Sequence, residues 1–509
     1  MRLLLPLVLV AGLAAAPALG QAVVSSAGPE AVSVTVYRDP NRGADQPFYL
    51  QWLNGFALIS ERRSIDVPAG EATIRFEGVA GGIIPESAIV TGLPDGVVEK
   101  NRDAWLLSPG SLLDTSLGRR VHIRRTSRAT GEVTEGEALI RSGAAGGVVI
   151  ETAQGIEALR CTGLPETLLY DEVPAGLSAK PILSVRTRSA AAARATLTLS
   201  YLAMGFDWQA YYIAELSPDG KRMDLFAWLT LANGDETGFA EAETQAVAGR
   251  LNREYTERSF PQAPPIHLQC WPQGNTTSDL NSYLPPPPGS PPSMDIMVTG
   301  SRVARGKLES ASPVTAMTAG QEELGDLKLY RIPERVSVAA RSQKQVALLR
   351  HEQVPVETVY RFQTQVEPGD HGAVPTVTTR NRRTERLGVP LPAGGIAFFE
   401  QHQGRRVLVG RGFLADRAVG EEVEIGTGES IDVRVNWEEL ADEQGSRTRR
   451  ITVTNAKPYP VRFEATITEG DAKVVSRTKL KERDGDPLWT VTVPANGSRT
   501  LNFRFSDDS

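Results

Sequence analysis

Cysteine is nearly absent from this chain, with 2 in 509 residues, and histidine is scarce at 5. So few thiols exclude a disulfide-dense miniprotein, and Cys161 and Cys270 have no metal-type spacing. The histidines (His122, His267, His351, His371, His402) are dispersed, and none lies at a ligand spacing from another. His351-Glu352 begins like a zincin helix, but Gln353-Val354-Pro355 puts proline where the second histidine belongs. A catalytic zinc site rests on three protein ligands, so none is expected here. There is no G-x-S-x-G elbow, and neither cysteine has a caspase- or papain-like context. No cofactor is expected. Charge of one sign is also missing: 55 basic residues face 61 acidic ones, a net of -6, which leaves no global case for nucleic acid. Beyond the N-terminus no stretch approaches the roughly 18 apolar residues of a membrane-spanning helix. Heptads are absent as well.

What is abundant is turn chemistry. The 47 glycines and 34 prolines point to many short strands, and an apolar content of 41% is ordinary for packed domains. The reading is all-β, a multi-domain arrangement of sandwiches and a small barrel with few short helices. At about 100–200 residues per domain, the length allows two to four domains.

Residues 1–20 carry a charged start at Arg2, an apolar run, and a small-residue end at Ala18-Leu19-Gly20. This is the pattern of a secretory signal cut before Gln21, which places the mature chain in the periplasm or outside the cell. In that compartment a Cys161–Cys270 disulfide can persist. The alternative is two separate buried thiols.

Residues 21–105 read as a first β-domain. Val32, Val34 and Val36 alternate with polar residues, and Pro68-Ala69-Gly70-Glu71 separates two strands. Residues 106–180 carry glycine-punctuated strands at Val121–Arg125, Glu137–Ile140 and Gly147–Glu151, the spacing of a small barrel-like insertion. Residues 181–256 hold the clearest hairpin, in which Trp208–Leu216 and Met223–Leu231 flank Ser217-Pro218-Asp219-Gly220. Residues 257–325 form a proline-rich linker with Pro285–Pro288 at its centre. Residues 326–509 return to strands and end in a sandwich-like tail. Helices are expected at Ala240–Ala246 and Gln321–Tyr330.

Several patterns bear on chemistry. Gly410-Arg411-Gly412-Phe413-Leu414-Ala415 matches a dinucleotide fingerprint after a strand, but no helix pattern follows, and a glycine-containing hairpin is the better reading. Asp207 with Glu215, or Asp224 with Asp235, could serve as a glycosidase-like carboxylate pair or simply line solvated strands and turns. Arg380-Asn381-Arg382-Arg383 and the cluster Arg447, Arg449, Arg450 read as charged strand edges, with anionic glycan contact the alternative. Trp208, Tyr211, Tyr212 and Trp228 crowd the hairpin as core, cross-strand pairs or a sugar-stacking platform. By alternation Trp208 and Tyr212 share one face and Tyr211 takes the other.

An ordered set of residues resembles a bacterial family of unknown function whose better-known relatives are called mucoidy inhibitor A-like. It comprises Leu199-Ser200-Tyr201-Leu202, Trp208, Tyr211, Asp219-Gly220, Asp224, Trp228, Asn233, Phe239, Ala242, Val247-Ala248-Gly249 and Asn252. Leu391-Pro392-Ala393-Gly394-Gly395, Val67–Glu71 and Arg75–Val79 extend the resemblance over about Val32 to Gly428. It implies an exported β-rich protein with a link to exopolysaccharide control, and it carries over no catalytic residues. Those relatives hold a long coiled coil between their β-regions, which this chain lacks. Separately, Asp295–Arg302 with Ser312-Pro313-Val314-Thr315 resembles the start of the plug of TonB-dependent receptors. The residues that follow are too few for such a barrel.

The expected function is non-catalytic binding or scaffolding in the cell envelope, with an envelope protein or polysaccharide as partner. The rival expectation is a periplasmic glycan-directed hydrolase using a carboxylate pair.

Overall fold

The computed structural model describes residues 22–43, 46–103, 106–127, 130–143, 148–159, 166–174, 177–249, 320–324, 327–443, 446–468 and 472–506. These are overwhelmingly β-strands, as the turn-rich composition predicts. Among the described residues there is one α-helix, Pro109–Thr115, which the sequence reading missed. Its signature is local: Ser108 caps the Ser111 N–H, Ser111 reciprocates, and Pro109 opens the first turn. No described helix is long and apolar enough to cross a membrane.

The chain divides into two compact units, each assembled from separate stretches. Among described residues the first holds 22–32 and 60–202, and the second 33–59, 203–249 and 320–506.

In the first unit, a four-stranded sheet runs in the order Ala22–Ser26, Gly70–Glu77, Ile182–Ser189, Glu99–Asp103. Ala72, Ile74 and Phe76 alternate into its core opposite Leu183 and Val185, and Gly70 takes the positive φ of the preceding turn. A five-stranded sheet, ordered Gly155–Ala158, Val149–Thr152, Val133–Ile140, Arg120–Thr126, Glu166–Leu169, has its own core. Leu113 of the helix, Val121, Ile123, Ala138, Ile140 and Ile150 form it.

In the second unit, Phe239–Ala248 lies parallel to Ala31–Tyr37 at Glu243–Val247 and antiparallel to Leu327–Arg331. The two expected helices are therefore strands. Ala240–Ala246 lies inside Phe239–Ala248, and 321–330 falls in Gly320–Leu324 and Leu327–Arg331. Helix propensity is a weak determinant, and ladder pairing, on both sides of Phe239–Ala248 and of Leu327–Arg331, overrides it. A second sheet runs Ser342–Pro355, Arg222–Asn233, Phe206–Leu216, Gly394–His402, Arg405–Leu414. The C-terminal residues build a sandwich in which strands Val461–Thr466 and Asp486–Val493 of one sheet face Val433–Glu443, Ser446–Asn455 and Gly497–Ser506 of another. Trp437, Phe463, Trp489, Phe503 and Phe505 fill the space between.

Candidate ligand-binding face

The hairpin of the second unit forms as its turn sequence requires. Gly220 takes φ 65°, its N–H reaches the Ser217 carbonyl at 2.8 Å, and Phe206–Leu216 pairs with Arg222–Asn233 over eleven register positions. Alternation along Phe206–Leu216 then splits the aromatic set. Trp208 and Tyr212 are fully buried. The Trp208 indole N–H donates to the Val247 carbonyl at 2.9 Å, and the Tyr212 hydroxyl donates to the Pro392 carbonyl at 2.6 Å. Burial pushes the Tyr212 hydroxyl well above its usual range. These two rings belong to the core and offer no platform to a ligand.

Tyr211 and Trp228 sit on the opposite face, half-buried and directly across from each other. Phe226 meets Trp228 edge-on at 4.8 Å between ring centroids. The parallel neighbour, Gly394–His402, approaches closely because its first two residues lack side chains. A Cβ at Gly394 would lie 2.1 Å from the Ala210 carbonyl oxygen, and one at Gly395 would lie 3.2 Å from the Tyr211 ring. Register then aligns Ala347, Trp228, Tyr211, Gly395 and Phe413 in one row across five strands. The next row holds Arg350, Phe226, Ile213, Ala397 and Arg411. The result is a partly exposed aromatic surface.

One end of this face is fastened by a buried ion pair. Asp207 is 1% exposed, and its carboxylate accepts from Arg42 Nε at 2.7 Å and from the Asp39 and Trp208 backbone N–H groups. Burial raises the Asp207 carboxyl from its usual range, against the pull of Arg42 and the backbone donors. Arg42 also donates to Gln209, two residues before Tyr211 on the outward face, and stacks over Phe48 at 4.6 Å. The loop it anchors presents Tyr49 and Trp52, 65% and 72% exposed. The sequence reading missed both. The available signal was three aromatics within Pro47-Phe48-Tyr49-Leu50-Gln51-Trp52, a stretch without strand alternation.

The suggested carboxylate pairs are not brought together. Asp207 and Glu215 lie eight residues apart on one extended strand, about 27 Å at 3.4 Å per residue. Glu215 instead binds Gln401 and Arg406 on the outward face. Asp224 accepts from the Gln353 N–H near one end of Arg222–Asn233, while Asp235 follows the other end and accepts from the Thr237 N–H. Gly410 and Gly412 of the dinucleotide-like pattern lie inside the strand Arg405–Leu414, against Thr427 and Gly426, with no helix after them.

The basic runs also resolve locally. Asn381 is fully buried, and its amide binds the carbonyls of Val389 and Ala418, interrupting Arg380–Arg383. Arg447, Arg449 and Arg450 lie on Ser446–Asn455, which is interior to its sheet rather than an edge. Arg449 is buried against Glu439 at 3.0 Å, so cross-strand pairing rather than edge protection accounts for it. Both cysteines, residues 1–20, residues 257–319 of the proline-rich stretch and the plug-like segment lie outside the described residues. Among the described residues no group of three or more His, Cys, Asp or Glu could hold a metal ion. No family model and no curated protein matches this chain.

Proposed function

We propose that this is an exported, non-catalytic envelope protein that holds polysaccharide on the outward face of the five-stranded sheet that carries Tyr211 and Trp228. The observation that carries this reading is the Tyr211–Trp228 pair, half-buried side by side against Gly395, where sugar rings can stack without displacing core. The exposed Tyr49 and Trp52 extend the aromatic surface available to a long ligand. The signal-like residues 1–20 support delivery to the periplasm, where a Cys161–Cys270 bridge can persist. The resemblance to mucoidy inhibitor A-like proteins supports the link to exopolysaccharide.

The test is retention of the mature chain, from Gln21, in gels containing purified bacterial exopolysaccharide. Wild type is retained, Tyr211→Ala and Trp228→Ala each weaken retention about tenfold, and the double variant migrates freely. Undiminished retention of the double variant overturns the site. Release of new reducing ends by wild type overturns the non-catalytic reading in favour of the hydrolase.

A further inference from the structure

We infer that the polysaccharide recognised on this face is anionic, with its carboxylates received by Arg411. This assignment rests on the glycan-binding reading above and specifies the ligand class. In the row beside Tyr211 and Trp228, Arg411 stands opposite Ala397, which stands opposite Ile213. Directly paired residues share a sheet face, so Arg411 lies on the same side as Tyr211, two strands across and two residues along, or about 12 Å at 4.8 Å per strand and 3.4 Å per residue. A sugar chain laid from Trp228 over Tyr211 and Gly395 reaches Phe413, with Arg411 two residues along the same strand.

The acidic side chains on that face are committed. Glu215 accepts from Arg406 at 2.7 Å and from Gln401 at 2.6 Å. Glu352 pairs with Arg350 at 2.8 Å, and Asp224 accepts from the Gln353 N–H at 2.7 Å. Arg411 is exposed and makes no hydrogen bond or ion pair with any described residue. The uncommitted charge beside the rings is therefore positive. A planar guanidinium next to stacking rings receives a carboxylate through two parallel N–H bonds while the ring faces take the sugar. A neutral sugar chain would leave that fork to water.

The probes are polygalacturonate and its fully methyl-esterified form, the same backbone with and without charge, in retention gels with the mature protein. Wild type should bind polygalacturonate at least tenfold more tightly than the ester, and the preference should shrink as salt rises. Arg411→Gln should erase the preference while leaving ester binding intact, and Arg411→Lys should restore part of it. Arg405→Gln, on the opposite face of the same strand, should leave the preference unchanged. Equal binding of both polymers by wild type, or a preference that survives Arg411→Gln, overturns the anionic assignment and leaves the glycan reading standing. If neither polymer is retained while purified exopolysaccharide still is, the anionic assignment alone fails. Loss of retention on all three overturns both.

Discussion

Each unit holds a buried arginine–carboxylate pair, Glu61–Arg63 in the first and Asp207–Arg42 in the second, and the two hold different things. In the first unit Glu61 and Arg63 are both fully buried, bonded at 2.6 and 2.8 Å. Tyr201 donates to the same carboxylate at 2.7 Å, and Arg63 donates to the Ser26 carbonyl at 2.8 Å. Burial raises the Glu61 carboxyl, with the Arg63 charge opposing it. Every arm of this cluster ends on strand or core, so it ties the N-terminal strand Ala22–Ser26 to the interior. In the second unit Asp207 is equally buried, but Arg42 emerges to carry a loop whose aromatics face solvent. A sealed pair of this kind specifies which strands meet. A pair at a rim can also fix the position of exposed side chains, here Tyr49 and Trp52.

The largest expected effect breaks the sealed pair. Arg63→Met strands the Glu61 charge in the interior and should cost about 3–5 kcal/mol in chemical denaturation. The double variant Glu61→Leu with Arg63→Met should recover much of that, and a single-variant cost below about 1 kcal/mol would remove the contrast between the pairs. Asp207→Asn should cost about 2 kcal/mol, since it weakens the bonds to Arg42 and the backbone donors. Unlike Arg63→Met, it should also speed limited proteolysis in the loop between Arg42 and Trp52 well before global unfolding.

A third cluster sharpens the comparison by titrating. On the C-terminal sandwich Glu424 is bonded by Arg361 and Arg483, and Arg361 also reaches Glu464 at 3.3 Å. Burial alone would raise Glu424, yet the two guanidinium groups bring it down to about 2. A carboxyl depressed on folding contributes stability above its ordinary range near 4.5 and loses it as pH falls toward 2. Wild type should therefore exceed Glu424→Gln by roughly 2 kcal/mol at pH 6, allowing for solvent screening, and the gap should close near pH 2 in paired melting curves. The smallest effect is expected at Gly395→Ala, whose Cβ would meet the Tyr211 ring at 3.2 Å. It should cost at most about 1 kcal/mol and loosen glycan retention a few-fold, read in the same gels.

Much of the strand content was legible because period-two burial is written locally. Val32, Val34 and Val36 are buried, as are Ile74 and Phe76, each where alternation puts it. The Asp219-Gly220 hairpin was equally plain, since only a few residue pairs accept its backbone angles. At Phe239–Ala248 the local signal misled, because two neighbouring strands decide that segment and neither is near in sequence. The candidate face was half visible: alternation separated Tyr211 from Trp208, but nothing in the spacing placed Gly395 or Arg411 beside it.

From the sequence alone came the all-β architecture and the placing of Trp208 and Tyr212 on one strand face and Tyr211 on the other, since turn angles and side-chain alternation act over a few residues. Tertiary structure alone decided that Arg42 meets Asp207 across 165 positions, that Asp207 and Glu215 part company, and that Arg411 joins the row beside Tyr211. Those outcomes depend on which strands lie side by side and in what register, and that choice is made by the packing of the whole sheet.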